Sequence, residues 1–246
     1  MSKTIIFGAT GHIGSALAHE LHQQGKPLHL AGRNKSGLSA LAGSLGASFS
    51  EFDAMDNSSI SETVAEADSD GALGGLVWAV GSILLKPLSS LSQSDIQTCF
   101  QLNLFGAMMA AKSALPSLKT GQGSILLFSS VAAQTGFNAH TAIGSAKAAI
   151  EGLVVALAAE AAPEIRVNAI APSLSESKMA APLMANPQMQ KALAATHPLG
   201  RLGRADDFTA LASLLLDNRR AGWITGQIFA VDGGRSSVQV NSRGRS

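Results

Sequence analysis

A glycine-rich turn near the start of the sequence constrains the fold more than any other feature. The stretch TIIFGATGHIGSALAHEL places an apolar run, a glycine turn and an amphipathic run in direct succession. Glycine permits the positive φ angles of a tight turn and lets an anion approach the backbone closely. A helix that begins at such a turn points its free N–H groups at that anion. The context predicts a dinucleotide pyrophosphate site formed by Gly8, Thr10, Gly11, His12, Ile13 and Gly14.

The rest of the chain repeats this alternation of apolar and helical segments. Candidate strands occupy residues 4–7, 27–31, 48–52, 73–79, 123–129, 165–170 and 227–231. Candidate helices occupy residues 13–24, 36–45, 58–67, 95–119, 141–162 and 206–216. Alternating strands and helices are typical of an α/β fold with a parallel sheet covered on both faces. Because no linker composition interrupts the pattern, we predict one domain over residues 1–235 and a polar tail at 236–246.

The residues that follow the second strand bear on which dinucleotide binds. In NAD sites, an acidic residue about 20 positions after the turn hydrogen-bonds the ribose 2′-hydroxyl. Here that position holds Gly32, and Arg33 and Asn34 follow it. A guanidinium forms paired hydrogen bonds with a phosphate group. We therefore expect Arg33 and Asn34 to contact the cofactor and to favour NADP(H) over NAD(H). The alternative for Arg33 is a solvated turn residue.

Composition and charge argue against several other classes of protein. The formal net charge is only +1, whereas nucleic-acid binding needs a concentrated basic face. The one basic cluster is the tail around Arg243 and Arg245. No His, Cys and acidic residues have metal-ligand spacing, and Cys99 lies in an apolar stretch typical of a core residue. No apolar run reaches the roughly 20 residues of a membrane span and no leader is recognised, so we expect a cytoplasmic protein without a membrane segment.

Two segments are unusual in composition. The helix candidate at 141–163 is rich in alanine and has three charges, so we expect it to be buried on more than one side. One face would pack on the sheet and the other on a second subunit. The segment 173–204 is rich in Met, Pro and small polar residues and is a candidate mobile cover over a site. An adaptable apolar pocket or ordinary packing would explain its methionines, Met179, Met184 and Met189.

Eight different short motifs are distributed along nearly the whole chain. They are GATGHIG, FDAMD, QLNLFGAM, GSILLFSSVAA, AIGSAKAAIEGL, IRVNAIAPS, PLGRLGRADD and ITGQIFAVDGG. In these motifs the sequence resembles the short-chain dehydrogenase/reductase family. The resemblance implies a Rossmann-type, doubly wound parallel sheet of seven strands in the order 3-2-1-4-5-6-7. It also implies a homodimer or homotetramer formed through the helices at 95–119 and 141–162. The implied reaction is hydride transfer between a nicotinamide and a small-molecule carbonyl or alcohol.

The resemblance assigns roles to residues at the ends of the later strands and on two helices. Cofactor contacts are implied for Asp53, Ala54, Ala79, Val80, Gly81, Pro172, Ser175 and Ser177. For the reaction, Asn103 is implied to hold a water molecule and Ser130 to hydrogen-bond the substrate carbonyl. Lys147 is implied to hydrogen-bond the nicotinamide ribose.

One position departs from the family's active-site pattern Tyr-x-x-x-Lys. Here Ile143 precedes Lys147 at that spacing, at the family's usual interval of 13 residues after Ser130, and the chain contains no tyrosine. Loss of a positioned general acid costs about 10²–10⁴ in rate. His140 is the candidate replacement acid, although it would otherwise be a loop residue bonded to the backbone. Ser130 with a water molecule, or Lys147 itself, is another route. We expect His197 to be a solvent-exposed loop residue.

Three interpretations remain open at this point. The chain is an NADP(H)-dependent oxidoreductase with a displaced proton donor, a cofactor-binding protein without chemistry, or a non-redox enzyme on the same scaffold. Retention of Ser130 favours the first interpretation, because a scaffold that only binds a cofactor needs this serine less. Asn103 and Lys147 discriminate poorly, because they also have structural and cofactor-binding roles.

Overall fold

The computed structural model describes residues 2–177, 180–181 and 186–239. A seven-stranded parallel sheet runs through its centre in the order β3-β2-β1-β4-β5-β6-β7. The strands are β1 (Lys3–Phe7), β2 (Leu28–Gly32), β3 (Ser48–Glu51), β4 (Leu73–Trp78), β5 (Ser124–Phe128), β6 (Arg166–Pro172) and β7 (Ile228–Val231). The predicted fold class and strand order are confirmed. The predictions for Met179, Met184, Arg243 and Arg245 lie outside the described residues.

Helices cover both faces of the sheet. They are α1 (His12–Gln23), α2 (Lys35–Leu45), α3 (Asn57–Ala67), α4 (Gln93–Phe100), α5 (Gly106–Thr120), α6 (Thr141–Ala161), α7 (Pro187–Ala195), α8 (Asp206–Leu216) and α9 (Asn218–Ala221). Helices α1, α2 and α8 pack on one face, and α3, α5 and α6 pack on the other. Successive side chains of β1 alternate between the layers, with Ile5 and Phe7 in one core and Ile6 in the other. Because both faces are covered, the middle of the central strands is apolar on both sides, as in the runs Ile5–Phe7 and Ile125–Phe128.

The helix predicted at 95–119 is interrupted. A π-helical turn, Gln101–Phe105, separates α4 from α5. Trp78 lies beneath the interruption, and its Nε1 donates a hydrogen bond to the Leu102 carbonyl oxygen at 3.2 Å. A Cβ on Gly106 would lie 2.5 Å from Trp78 Cζ2, so the indole can pack here only against glycine. Wide turns of this kind often occur at functional sites, and this one contains the buried Asn103.

Helix α6 corrects one expectation drawn from apolar run lengths. By length and composition alone it could cross a membrane, with a mean hydropathy of 1.6 over its most apolar part. In the fold it packs against β5, β6 and the π-helical turn, and its inner face includes Ile150, Val154 and Leu157. Such packing is that of a core helix, and α6 reaches the apolar length of a span because Ala and Gly fill its outer face.

The segment 173–204 contains a helix that the sequence analysis did not predict. Helix α7 begins at Pro187, whose fixed φ suits a first helical position. The side chain of Asn186 caps it by accepting a hydrogen bond from the Gln188 N–H at 2.8 Å. Two of its side chains, Met189 and Leu193, line the cavity described below. The described parts of this segment therefore line the cavity on one side, and their role as a mobile cover stays a prediction.

Candidate functional site

A cavity of about 1530 Å³ opens at the carboxyl ends of the strands. Ligands of open α/β sheets bind at this edge, where the strand order reverses, and here the reversal lies between β1 and β4. The cavity exceeds the roughly 300–1,000 Å³ of ordinary ligand pockets, so it has room for a long cofactor and a second molecule. The predicted site residues on its wall are Thr10, Gly11, His12, Ile13, Ala79, Val80, Gly81, Asn103, Ser130, His140, Lys147, Pro172, Ser175 and Ser177.

The glycine turn is built so tightly that side chains are excluded from it. Gly8 has a φ of +80°, and a Cβ there would lie 2.7 Å from the Ala79 carbonyl oxygen. A Cβ on Gly14 would lie 2.3 Å from the Gly8 carbonyl oxygen. Both distances are shorter than any ordinary contact, so these glycines allow the turn, α1 and β4 to meet. Gly8 and Gly14 shape the turn from behind and do not themselves line the cavity.

The first turn of α1 presents free hydrogen-bond donors. The backbone N–H groups of His12, Ile13 and Gly14 form no hydrogen bond within the described part of the chain. Gly11, which precedes the helix, supplies no side-chain cap. Free N–H groups at a helix N-terminus bind anions, and the helix dipole adds to the attraction. The residues present therefore fit a pyrophosphate group.

Arg33 and Asn34 lie at the carboxyl end of β2, beside this turn and outside the cavity wall. The Arg33 side chain is exposed and has no hydrogen bond or ion pair to any described residue. Asn34 caps α2, since its Oδ1 accepts from the Gly37 N–H at 3.1 Å. A Cβ on Gly32 would lie 3.4 Å from Thr10 Oγ1, which places the end of β2 against the glycine turn.

Asp53 and Ala54 follow β3 at the same sheet edge and also lie off the cavity wall. Asp53 is exposed, and its Oδ1 accepts a hydrogen bond from the Met55 N–H at 2.9 Å. Ala54 is buried, and its carbonyl oxygen accepts from Gln101 Nε2 at 3.1 Å. Asp53 and Ala54 follow β3, which neighbours β2, so they lie at the same edge of the sheet as Arg33.

Lys147 and Asn103 meet at the inner end of the cavity. A Cβ on Gly81 would lie 2.9 Å from Asn103 Oδ1 and 3.6 Å from Lys147 Nζ, so both atoms face this glycine. Lys147 Nζ donates a hydrogen bond to the Phe128 carbonyl oxygen at 2.7 Å. Burial lowers the pKa of Lys147 to about 8, and the electrostatic interaction with Cys99 opposes this shift.

The Asn103 amide is only half satisfied. Its Nδ2 donates to the Cys99 carbonyl oxygen at 2.9 Å and to Ser82 Oγ at 3.2 Å. Its Oδ1 is buried and has no partner among the described residues. An unmade hydrogen bond of this kind costs about 1–3 kcal/mol and indicates that a partner molecule belongs there. The oxygen therefore fits a donor group of a bound water or ligand.

Ser130 begins a short 3₁₀ helix, Val131–Ala133, at the cavity wall. Its Oγ accepts a hydrogen bond from the Ala132 N–H at 3.1 Å. A hydroxyl that accepts in this way keeps its own hydrogen to donate. The Ser130 hydroxyl is thus fixed in place as a donor.

Ile143 and His140 lie at the start of α6. Ile143 is buried in a small apolar cluster with Cys99, Ala142 and Ala146, which confirms the prediction of a core cysteine. The His140 ring donates from Nδ1 to the Asn138 carbonyl oxygen at 2.7 Å, since a carbonyl can only accept. Its Nε2 then has no partner among the described residues. The half-buried His140 is bonded to the backbone and also lines the cavity wall, and its role as the replacement acid stays a prediction.

The sequence analysis missed Arg235 and Phe137 on the cavity wall and mispredicted the neighbouring His197. The Arg235 guanidinium lies 4.6 Å from the Phe137 ring centroid, and its Nη1 donates to Ser173 Oγ at 3.3 Å. His197 Nε2 lies 2.9 Å from Ser173 Oγ, and its Nδ1 lies 3.0 Å from the Leu193 carbonyl oxygen. His197 is 1% exposed, so the prediction of a solvent-exposed residue is wrong. It is buried because the turn after α7 packs against Gly233, a contact that local sequence does not encode.

Comparison with known proteins agrees with this geometry. The model of the Enoyl-(Acyl carrier protein) reductase family matches residues 8–236. A tropinone reductase homolog of Arabidopsis thaliana is 31% identical over 239 residues, covering 94% of this chain and 90% of its own length. A short-chain dehydrogenase/reductase structure from Brucella melitensis superposes with a TM-score of 0.90 at 30% identity, covering 96% and 97% of the two chains. The chain belongs to the short-chain dehydrogenase/reductase family.

Within this family the chain is an oxidoreductase, because its relatives are named reductases and dehydrogenases. A further similar structure is a putative NAD(P) dependent gluconate 5-dehydrogenase from Beutenbergia cavernae, described with bound NADP at low occupancy. It is 26% identical, has a TM-score of 0.90 and covers 96% of this chain and 97% of its own.

Proposed function

We propose that the protein is an NADP(H)-dependent oxidoreductase that interconverts a carbonyl compound and its alcohol, with His140 in place of the family's tyrosine. The observation that carries the proposal is the convergence of Ser130, Lys147 and the half-satisfied Asn103 at one end of a cavity that reaches the glycine turn. A protein that only bound a dinucleotide would not need a fixed serine donor there.

The chain's own residues fit the cofactor. The free N–H groups of the first turn of α1 would hold the pyrophosphate, and Asp53 and Ala54, which follow β3 at the same edge of the sheet, would contact the adenine. Arg33 is exposed and unpaired among the described residues, so a 2′-phosphate would meet an available guanidinium. The NADP-containing relative supports the same preference. Equal affinities for NADPH and NADH in a binding titration would contradict the role given to Arg33.

At the reactive end of the cavity, different side chains would bind the cofactor and orient the substrate. When bound, reduced nicotinamide supplies a hydride to the carbonyl carbon of a second molecule. Lys147 uses one ammonium hydrogen on Phe128, which leaves two to bind ribose hydroxyls. Ser130 donates its hydroxyl hydrogen to the carbonyl oxygen and so polarises and orients it. Pro172, Ser175 and Ser177 line the wall on the side of β6 and would hold the carboxamide.

His140 supplies the proton that Ile143 cannot. Because Nδ1 is tied to the Asn138 carbonyl, the ring is fixed in position and Nε2 is the atom that exchanges the proton. Imidazole gains and loses a proton near neutral pH, so the same atom can serve both directions of the reaction. The ring lines the cavity next to Ile143, at the start of the same helix.

A second candidate is a protein that binds the cofactor without turnover. The apolar cluster around Ile143 favours it, because no hydroxyl lies four residues before Lys147, the spacing of the family's tyrosine. A single measurement distinguishes the two functions: only the oxidoreductase consumes NADPH in the presence of carbonyl compounds.

Self-association through α6 is part of the proposal. The exposed face of α6 is a stripe of small or apolar residues that includes Ser145, Ala148, Gly152, Val155 and Ala159. Val155 is 55% exposed, and such a stripe allows close helix contact with a second copy. We propose that this stripe forms the interface of a homodimer or homotetramer. We also propose, as expected from the sequence, that the protein resides in the cytoplasm.

The test is NADPH oxidation with a panel of aldehydes, ketones and oxo acids, using wild type and His140→Gln. We expect turnover of at least one substrate by wild type, and a rate about 10²–10⁴ lower for His140→Gln with unchanged NADPH affinity. His22→Gln removes an exposed histidine of α1 and serves as the matched control. NADPH binding without oxidation would support the second candidate, and an unchanged rate for His140→Gln would exclude this histidine as the acid.

A further inference from the structure

The proposed reaction leaves one cavity-facing cation unused. Arg235 follows β7 and reaches back over the cavity, where its guanidinium carbon lies 4.6 Å from the Phe137 ring centroid. The Phe137 ring in turn lies 5.3 Å from the His140 ring, measured between centroids. Arg235 is therefore separated from the proposed acid by one aromatic ring, and it belongs to the same end of the cavity.

The Arg235 guanidinium forms no hydrogen bond or ion pair with a carboxylate among the described residues; burial lowers its pKa, and the electrostatic attraction of Asp232 opposes this shift. Its Nη1 donates to Ser173 Oγ at 3.3 Å, and its remaining guanidinium donors have no described acceptor. The neighbouring Asp232 is occupied elsewhere: Oδ1 accepts from the Gly234 N–H at 2.8 Å, and Oδ2 from the Ser236 N–H at 2.7 Å and from Ser236 Oγ. A half-buried guanidinium without a carboxylate is costly unless a ligand supplies the anion.

The hydrogen bonds around Ser173 fix the direction in which Arg235 points. His197 Nδ1 donates to the Leu193 carbonyl oxygen, so its Nε2 accepts the Ser173 hydroxyl hydrogen. The lone pairs of Ser173 Oγ are then left for the guanidinium. Ser173 and His197 are thus positioning residues that hold Arg235 on the cavity wall.

The charges on the wall are unevenly distributed. Among the described wall residues, the acidic ones are Glu20 and Asp206, and these belong to α1 and α8. The side chains near the proposed reaction are the basic Arg235, His140 and Lys147, set among apolar groups such as Phe137. A negatively charged group of a second molecule is attracted to this end of the cavity, while the first turn of α1 would hold the pyrophosphate at the other end. A planar carboxylate matches the paired donors of a guanidinium.

We propose that the substrate is an oxo acid, or the corresponding hydroxy acid, whose carboxylate is bound by Arg235 while its carbonyl or hydroxyl lies at Ser130. This inference rests on the proposed function for the identity of the reacting group. Arg235 is the specificity-determining residue in this arrangement, because an ester or an amide of the same chain length cannot pair with the guanidinium.

The test compares acids with their methyl esters. Pyruvate, acetoacetate and 4-oxopentanoate, each beside its methyl ester, place the carboxylate at increasing distance from the carbonyl. We expect one length to be preferred, with kcat/KM for the acid about 10–100-fold above that for its ester, the size expected for a hydrogen-bonded charge pair. In Arg235→Met this preference disappears while the ester rate stays within a few-fold. Arg235→Lys keeps the positive charge but lacks the paired N–H donors of the guanidinium, so it should retain part of the preference for the acid.

A binding measurement separates this inference from the proposed function. Calorimetric titration of 4-oxopentanoate into the NADP⁺-loaded protein should show binding that Arg235→Met weakens about 10–100-fold. Arg219→Met removes an exposed arginine of α9 and is the matched control, with no change expected. Binding that depends on Arg235 but no turnover of any carbonyl would sustain the anion site and refute the oxidoreductase. Equal rates for acids and esters in wild type, or a loss of NADPH affinity in Arg235→Met, would overturn the inference.

Discussion

At the scale of single residues, the proposed function depends most on position 143, where a proton-exchanging side chain is absent. Ile143 is buried beside Cys99 and Ala146, and it has no proton to exchange. By contrast, Lys147 Nζ and Asn103 Oδ1 face Gly81, and Asn103 Oδ1 has no hydrogen-bond partner among the described residues. In the proposed function, these residues bind the cofactor and another side chain supplies the proton.

Restoring the hydroxyl tests this division directly. Ile143→Tyr should raise kcat at least tenfold, because a phenol four residues before Lys147 lies on the same helical face. The larger ring costs about 1–3 kcal/mol of stability in a packed cluster. Ile143→Phe has the same bulk without the hydroxyl and is the control, so its rate should not exceed that of wild type. Equal rates for the Tyr and Phe variants would show that position 143 does not reach the reacting carbonyl.

Local sequence predicts the parts of the site that depend on neighbours along the chain. Gly8 and Gly14 were found because a strand, a turn and a helix follow one another without a break. Arg235 was missed and His197 was wrongly predicted to be exposed, because the chain contact between residues 197–199 and 233 buries His197 and local sequence does not encode that contact. The unpaired Asn103 oxygen is also a tertiary feature, since it follows from a π-helical turn placed over Trp78.

At the scale of elements, a buried polar chain joins β2, β3 and α3 at the edge of the sheet. His29 is 2% exposed, with Nδ1 2.9 Å from Ser48 Oγ and Nε2 2.7 Å from Ser50 Oγ. Ser50 donates its hydrogen to the Glu66 carboxylate, so His29 Nε2 donates to Ser50 and Nδ1 accepts from Ser48. The acceptor role of Nδ1 requires a neutral imidazole, whereas Nε2 donates in either protonation state. Burial lowers the pKa of His29 to about 4, with a smaller contribution from Lys3 that Glu66 opposes.

This histidine predicts a loss of stability in mild acid. The unfolded chain binds a proton at His29 below about pH 6.5, whereas the folded chain does so only near pH 4. Stability is therefore lost as the pH falls through this window, by about 3 kcal/mol in total. His29→Gln keeps a donor and an acceptor without the titration and should flatten urea unfolding free energies between pH 6.5 and 4. His22→Gln, on the exposed face of α1, should keep the wild-type slope; a similar slope in His29→Gln would refute the assignment.

Element boundaries show what the sequence pattern misses. The strands were predicted to within a few residues because most contain an apolar run between polar turns, β3 with its sequence Ser-Phe-Ser-Glu being the exception. The break at Gln101–Phe105 was missed, since its cause is Trp78 on a neighbouring strand. Helix α7 was missed because its outer surface is polar and only Met189 and Leu193 turn toward the cavity.

At the scale of the whole molecule, the sheet order places all of these groups at one edge. The reversal between β1 and β4 opens the space, the glycine turn closes its phosphate end, and α7 and the segment after β7 cover it. The cofactor end is set by backbone geometry that side chains cannot enter. The end that contains Ser130 and Lys147 is formed by side chains, and the proposed function departs from the family's mechanism at this end.

The most direct test of the account follows an isotope from the cofactor to the product. NADPH labelled with deuterium at nicotinamide C4, in each of its two stereochemical forms, is incubated with the protein and the best oxo acid of the panel. Mass spectrometry of the product then locates the label. The account predicts deuterium on the new carbinol carbon from one of the two forms. Unlabelled product, or tightly bound NADPH with no product at all, would contradict it.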